Sequence, residues 1–247
     1  MKHIHSKSLN FNAVLKALLL FGFAAFYLRS VFTGTVSQYV HPRIIPYLVF
    51  AAAVMIVIGI LLLSRAADSH SKTGSSWQLI FFALPLLMAF TLPPQPLAAD
   101  TNAVGDLQLS TSAAGQDSQS NVAAIPEDGP IHIESGNYYP VLCDLYTDLD
   151  KYVGRTVTVT GFVFRDESFA VDQFVAARLL MVCCAADMQT VGLLCQYDGA
   201  AQLESDSWVT VTGVLQKVPF GGEDVPCIAA DGVETAEEPA DAYIYPY

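Results

Sequence analysis

Residues 44–63 read IIPYLVFAAAVMIVIGILLL, twenty positions without one charged side chain. As a helix rising 1.5 Å per residue, that run covers about 30 Å, the thickness of a bilayer's hydrocarbon core. The stretch predicts a transmembrane helix and divides the chain, because everything else is read by its distance from this span.

Upstream, Phe11 to Phe32 is a second apolar run, interrupted by Lys16 and Arg29. Both lie toward its ends, where long basic side chains reach back to the headgroups. A second span follows at once, so this first segment does not read as a cleavable signal peptide. Downstream, Trp77 to about Leu92 is a shorter apolar run that contains Pro85 and closes on Pro93-Pro94-Gln95-Pro96. It reads either as a third span or as a re-entrant or signal-like segment, and Leu97-Ala98-Ala99-Asp100 has the small residues of a signal-peptidase site. Residues 1–97 are therefore expected to form a membrane anchor of two or three transmembrane helices.

Lys2, Lys7 and Lys16 lie before or at the start of the first span, and Arg65 and Lys72 lie between the second and third. The positive-inside rule places those stretches in the cytoplasm, although Arg29 and Arg43 weaken the asymmetry. Three spans then put the N-terminus inside and all residues after Leu97 outside, in a multi-pass cell-membrane protein. Charge divides the chain at the same point, with +6 up to Leu97 and −18 after it. An acidic half of that size repels phosphate backbones and anionic lipid surfaces, so nucleic acid is not expected as a partner.

Residues 98–136, rich in Ser, Ala, Asp, Gln and Gly, read as a flexible polar linker. From 137 to 247 the pattern becomes that of a folded domain. Val141, Leu142, Leu145 and Leu149 recur at helical spacing and predict one helix over Tyr139–Tyr152. Runs rich in β-branched and aromatic residues predict strands at Thr156–Arg165, Phe174–Cys183, Thr190–Tyr197 and Trp208–Lys217, with a last short pairing at Ile244-Tyr245. Gly161 and Gly213 inside strand patterns predict bulges or barrel corners. The expected fold is thus N-terminal transmembrane α-helices plus a C-terminal mainly-β small barrel (OB-like) with one helix, the alternative being an open antiparallel sheet.

The least ordinary local feature is Arg178 to Asp187, which contains Cys183 and Cys184. Continued as a strand, it places Val175, Ala177, Leu179, Met181 and Cys183 on one wholly apolar face, with Arg178 and Cys184 on the other. Two readings stand side by side. Cys183, Cys184 and Asp187, with Cys143 or Cys195 as further candidates, are a site for a soft metal ion or a reactive thiol, with Arg178 supporting a thiolate at Cys184. Against this, adjacent cysteines on a strand point apart, and free cysteine is commonly a small buried hydrophobe. The five cysteines include no CxxC pair. His3 and His5 are weak metal candidates on a terminus. Trp208 and Tyr197 read as core or rim aromatics, and Glu234, Glu237, Glu238 and Asp241 as solvated surface. No Ser-His-Asp order, phosphate loop, HExxH or paired-carboxylate pattern occurs, so no catalytic residue and no resident cofactor is assigned and an enzyme is not expected.

Several motifs together resemble the YcgQ-type family of bacterial membrane proteins. They are Tyr152-Val153-Gly154-Arg155, Gly161-Phe162-Val163, Gln173-Phe174-Val175-Ala176-Ala177-Arg178, Cys183-Cys184-Ala185-Ala186-Asp187, Trp208 to Gly213 and Tyr243-Ile244-Tyr245-Pro246. Thr33-Gly34 and Tyr39-Val40-His41-Pro42 after the first span are also similar. Members of that family are described as subunits of a two-component permease whose solute is not established. The resemblance implies an accessory membrane subunit beside a multi-span permease, with an extracytoplasmic domain that contacts the permease or a ligand. The rival function is a surface thiol or metal-binding protein using Cys183, Cys184 and Asp187.

Overall fold

The structure, a computed structural model, describes residues 11–66, 77–92, 105–108 and 125–246. The histidines at 3 and 5, the basic residues at 2, 7 and 72, and most of the expected linker lie outside these. The chain forms two compact units, Met1–Pro96 and Leu97–Tyr247.

In the first unit, α1 covers Phe11–Phe32 and α2 covers Ile45–Ala66, each 22 residues long. Gly34, with φ of 75°, turns the chain out of α1. His41 then caps the entry to α2 by accepting the Arg43 N–H on its ring nitrogen at 3.0 Å. Small residues sit where the helices meet: Ala17 and Ala24 of α1 and Ala52 and Gly59 of α2 are buried. A Cβ at Gly59 would lie 2.8 Å from the Phe21 ring, so the helix approach depends on its absence. Small residues at close contacts are the usual packing solution for helices in lipid. Large apolar side chains such as Phe50, Val57, Ile60 and Leu61 point outward and are exposed.

The third apolar segment is a 3-10 turn, Trp77–Leu79, running into α3, Ile80–Thr91. Their combined rise is roughly 24 Å, less than the hydrocarbon core. Two helices in the described residues are therefore long and apolar enough to cross a membrane, and this one is shorter. It packs on α1 through Phe26 and Phe90, whose ring centroids are 5.9 Å apart.

The second unit is a mostly-β sheet domain. Its strands are β1 (Gly105–Gln108), β2 (Ile131–Ile133), β3 (Thr156–Phe164), β4 (Gln173–Leu180), β5 (Gln189–Gln196), β6 (Trp208–Phe220), β7 (Glu223–Thr235) and β8 (Tyr243–Ile244). β3 pairs antiparallel with β4 and β6, β4 with β5, and β6 with β7, while β5 and β7 pair in parallel. The pairings β3–β4–β5–β7–β6–β3 thus return to their starting strand. β1 and β2, both inside the stretch expected to be linker, add parallel pairings to β5 and β3. Ile125, Ile131 and Ile133 are buried in the domain core, so the packed region begins before residue 137.

The expected helix over Tyr139–Tyr152 is two pieces, α4 (Tyr138–Thr147) and α5 (Leu149–Tyr152), broken at Asp148 with ψ of 46°. β7 was not predicted. Its sequence EDVPCIAADGVET has a proline, a glycine and few branched residues, and pairing on both edges outweighs that weak propensity. Gly161 is needed for close approach, since a Cβ there would meet the Ala177 carbonyl oxygen of β4 at 2.6 Å. Gly213 sits at a register shift between β6 and β7, as the bulge reading expects.

The domain has two apolar clusters. Successive residues of β4 alternate between them: Phe174, Ala176 and Leu180 join one with α4, and Val175, Ala177 and Leu179 join the other with Val225 and Cys227 of β7. Both faces of β4 are buried, where one core face was expected.

Candidate metal or thiol site

The site begins where β4 ends. The strand was expected to continue to Cys183 but stops at Leu180, and Asp187 supplies the reason. Its carboxylate accepts the backbone N–H of Val182 at 3.0 Å on Oδ1, and those of Cys183 at 2.8 Å and Cys184 at 3.1 Å on Oδ2. Three consecutive ladder donors are thereby taken by one side chain, and the chain folds into a tight loop closed by the 3-10 turn Ala185–Asp187. Cys184 occupies the capping position of that turn, and its backbone carbonyl accepts the Asp187 N–H at 3.0 Å.

Outside the strand, the parity argument no longer applies to the cysteines. Cys183, expected on the buried face, is exposed, and Cys184 is half-buried. Their sulfurs lie 3.7 Å apart on one side of the loop. The two sulfurs and a carboxylate oxygen of Asp187 all lie within 4.8 Å of one another, the one such three-donor group among the described residues. Hydrogen bonding to the Asp187 carboxylate, and secondarily to the Cys184 thiol, pushes the Cys183 thiol up to about 12. Partial burial alone raises the Asp187 carboxyl, but hydrogen bonds from the Cys183 thiol and the three N–H groups hold it below the usual carboxylate range.

The other candidates are elsewhere. Cys143 is half-buried on α4, where burial raises its thiol. Cys195 and Cys227 are buried core residues; burial pushes Cys227 up to about 12 and Cys195 upward too.

Arg178 does not serve the cysteines. Its side chain is buried, and its guanidinium donates to the carbonyls of Thr160 (3.3 Å), Ala242 (3.3 Å) and Asp241 and to the Ser135 hydroxyl (2.9 Å). It also lies over the rings of Tyr138 and Trp208, 5.6 and 5.1 Å from their centroids. The sequence places Arg178 on the same strand face as Cys184 but carries no sign of these partners, which come from four separate segments. Trp208, read as a core or rim aromatic, is a wall of this arginine cage.

The DUF1980 N-terminal domain matches residues 15–106, and the DUF1980 C-terminal domain matches residues 108–246. The UPF0703 protein YcgQ of Bacillus subtilis is 24% identical over 104 residues, 41% of this chain and 36% of that protein's length. A Streptococcus mutans protein named "Putative two-component membrane permease complex subunit" is 22% identical over 238 residues, 82% of this chain and 87% of its own. Among solved structures, a small single-stranded DNA-binding protein from Streptomyces coelicolor aligns with 34% of this chain and 93% of its own at 12% identity and a TM-score of 0.23. The two family matches follow one another from residue 15 to residue 246, and the chain belongs to the DUF1980 family.

Proposed function

We propose that this chain is a membrane-anchored, non-enzymatic accessory subunit of a permease system. In this reading α1, α2 and the shorter third apolar helix cross the bilayer from a cytoplasmic N-terminus, and the acidic domain is OB-like and lies outside the cytoplasm. The observation that carries it is two bilayer-length apolar helices joined in one chain to a separately packed β domain. The Streptococcus mutans relative, matched over most of both chains, is named as a permease complex subunit and supports the same role here. The helices hold no acidic residue in their spans, and their basic residues lie toward the ends, which makes a poor conduction path and favours work beside a larger permease. The cyclic pairing of β3, β4, β5, β7 and β6 supports the OB-like reading. The −18 charge after Leu97 argues against nucleic acid as the ligand of such a domain.

The test is purification of the tagged full chain from native membranes under mild detergent, with identification of what accompanies it. A multi-span membrane protein at near-equal amount is expected, and recovery of the chain without one would overturn the reading. Topology is tested separately by Ser118→Cys with a membrane-impermeant maleimide on intact cells. Labelling before lysis supports an outside domain, and labelling only after lysis places it in the cytoplasm.

A further inference from the structure

We propose that Cys183, Cys184 and Asp187 form a solvent-facing, exchangeable site for one thiophilic divalent ion of the zinc or cadmium class. Two thiolates and one carboxylate would hold the ion, with a fourth position left open. The proposal concerns the domain's own residues and stands whether or not the chain serves a permease.

Packing does not account for the two cysteines. Free cysteine is among the most buried residue types, yet Cys183 is exposed and Cys184 half-buried, side by side. Capping does not account for them either. Serine, threonine, asparagine or aspartate satisfies the orphan N–H groups of a turn better than a thiol, and Cys184 stands in that position.

The spacing fits coordination. With metal–sulfur bonds of about 2.3 Å, two sulfurs on a tetrahedral ion lie about 3.8 Å apart, whereas a linear two-sulfur arrangement needs about 4.6 Å. The observed separation is 3.7 Å. The loop imposed by Asp187 overcomes the tendency of adjacent cysteines to point apart on a strand.

Asp187 has room to serve as the third ligand. A carboxylate offers about four lone-pair positions. Three accept the N–H groups of Val182, Cys183 and Cys184, which leaves a fourth. When the ion binds, the thiol protons leave to solvent and that fourth position donates to the metal. The three N–H bonds meanwhile keep the carboxylate and both cysteine backbones fixed, as outer hydrogen bonds do in established metal sites. Among the described residues this group has three donors, one fewer than a closed structural zinc site, which is why the ion is exchangeable.

The full chain, purified in detergent and kept reduced, is titrated with cadmium(II) while thiolate-to-metal absorption is followed in the ultraviolet. Zinc(II) retention is measured in parallel against a chromophoric chelator. One ion per chain is expected, with the absorption of two metal–thiolate bonds. Cys183→Ser and Cys184→Ser should each halve the band and weaken zinc retention more than about tenfold, while Asp187→Asn keeps the band and weakens retention by about tenfold. The serine variants change side chains outside the apolar clusters, so an unchanged circular dichroism spectrum separates lost ligation from lost fold. Absence of a band in the native chain, or a band unchanged in the C183S/C184S double variant, would overturn the site.

Discussion

The backbone N–H of Cys183 lies 2.8 Å from Oδ2 of Asp187, and that carboxylate, with its bonds to Val182 and Cys184, ends β4 three residues before the apolar pattern does. Replacing Asp187 by alanine should lower the unfolding free energy by about 1–2 kcal/mol, the range for losing a capping carboxylate. The carboxyl is held below its ordinary value, so its contribution is complete above that value and disappears as the pH falls through the lower, folded-state one. Denaturant titrations of native and D187A chains should therefore differ at neutral pH and converge in acid. A constant difference down to the acid transition would contradict this.

The cysteines should separate into two classes toward a maleimide. Cys183 is exposed and Cys184 half-buried beside it, whereas Cys195 and Cys227 are enclosed by the apolar clusters. Mass spectrometry of the native chain after brief labelling is expected to find adducts at 183 or 184 and none at 195 or 227 until denaturant is added. Early modification of Cys195 would show that the core cluster around β5 opens.

Arg178→Met should be strongly destabilising. The longest polar side chain in the core would be replaced by one that leaves the carbonyls of Thr160, Asp241 and Ala242 without their donor. The lost hydrogen bonds from a charged group are worth about 1.5–3 kcal/mol and the lost cation–ring contacts about 1–2 more. Arg178→Lys keeps the charge but not the planar fork, so its stability should fall between the two. Denaturation midpoints of the three chains measure this order.

In the membrane unit, Gly59→Ile should push α2 away from α1, because even a Cβ there overlaps the Phe21 ring. Thermal denaturation of the full chain in detergent reports the change. The midpoint should fall with G59I and stay near native with G59A if the Phe21 ring turns aside.

Much of this architecture was legible in the residues. The limits of α1 and the start of α2 follow from apolar length, and four strands follow from β-branched runs, because both signals are local. β7 was hidden because its stability comes from neighbours on both sides rather than from its own composition. The site was half legible. Residue types and spacing single out Cys183, Cys184 and Asp187, but the strand parity assigned to them assumed a ladder that Asp187 removes. Arg178 was misplaced for a similar reason: its partners Ser135, Tyr138, Thr160 and Trp208 are near it only after folding.

The two-sided burial of β4 has a consequence for the accuracy of assembly. In a strand with one wet face, slipping by one residue is penalised at every position. Seven of the eight residues of β4 are buried, and from Phe174 to Leu180 every one except Arg178 is apolar, so most of the strand would accept a shifted alignment with little complaint. Arg178 removes that ambiguity. One step out of place would carry its charge into the cluster of Val175, Ala177 and Leu179, where no carbonyl cage awaits it. The single cation thus acts as a key, cut so that only one alignment of the strand gives its charge the carbonyls it needs.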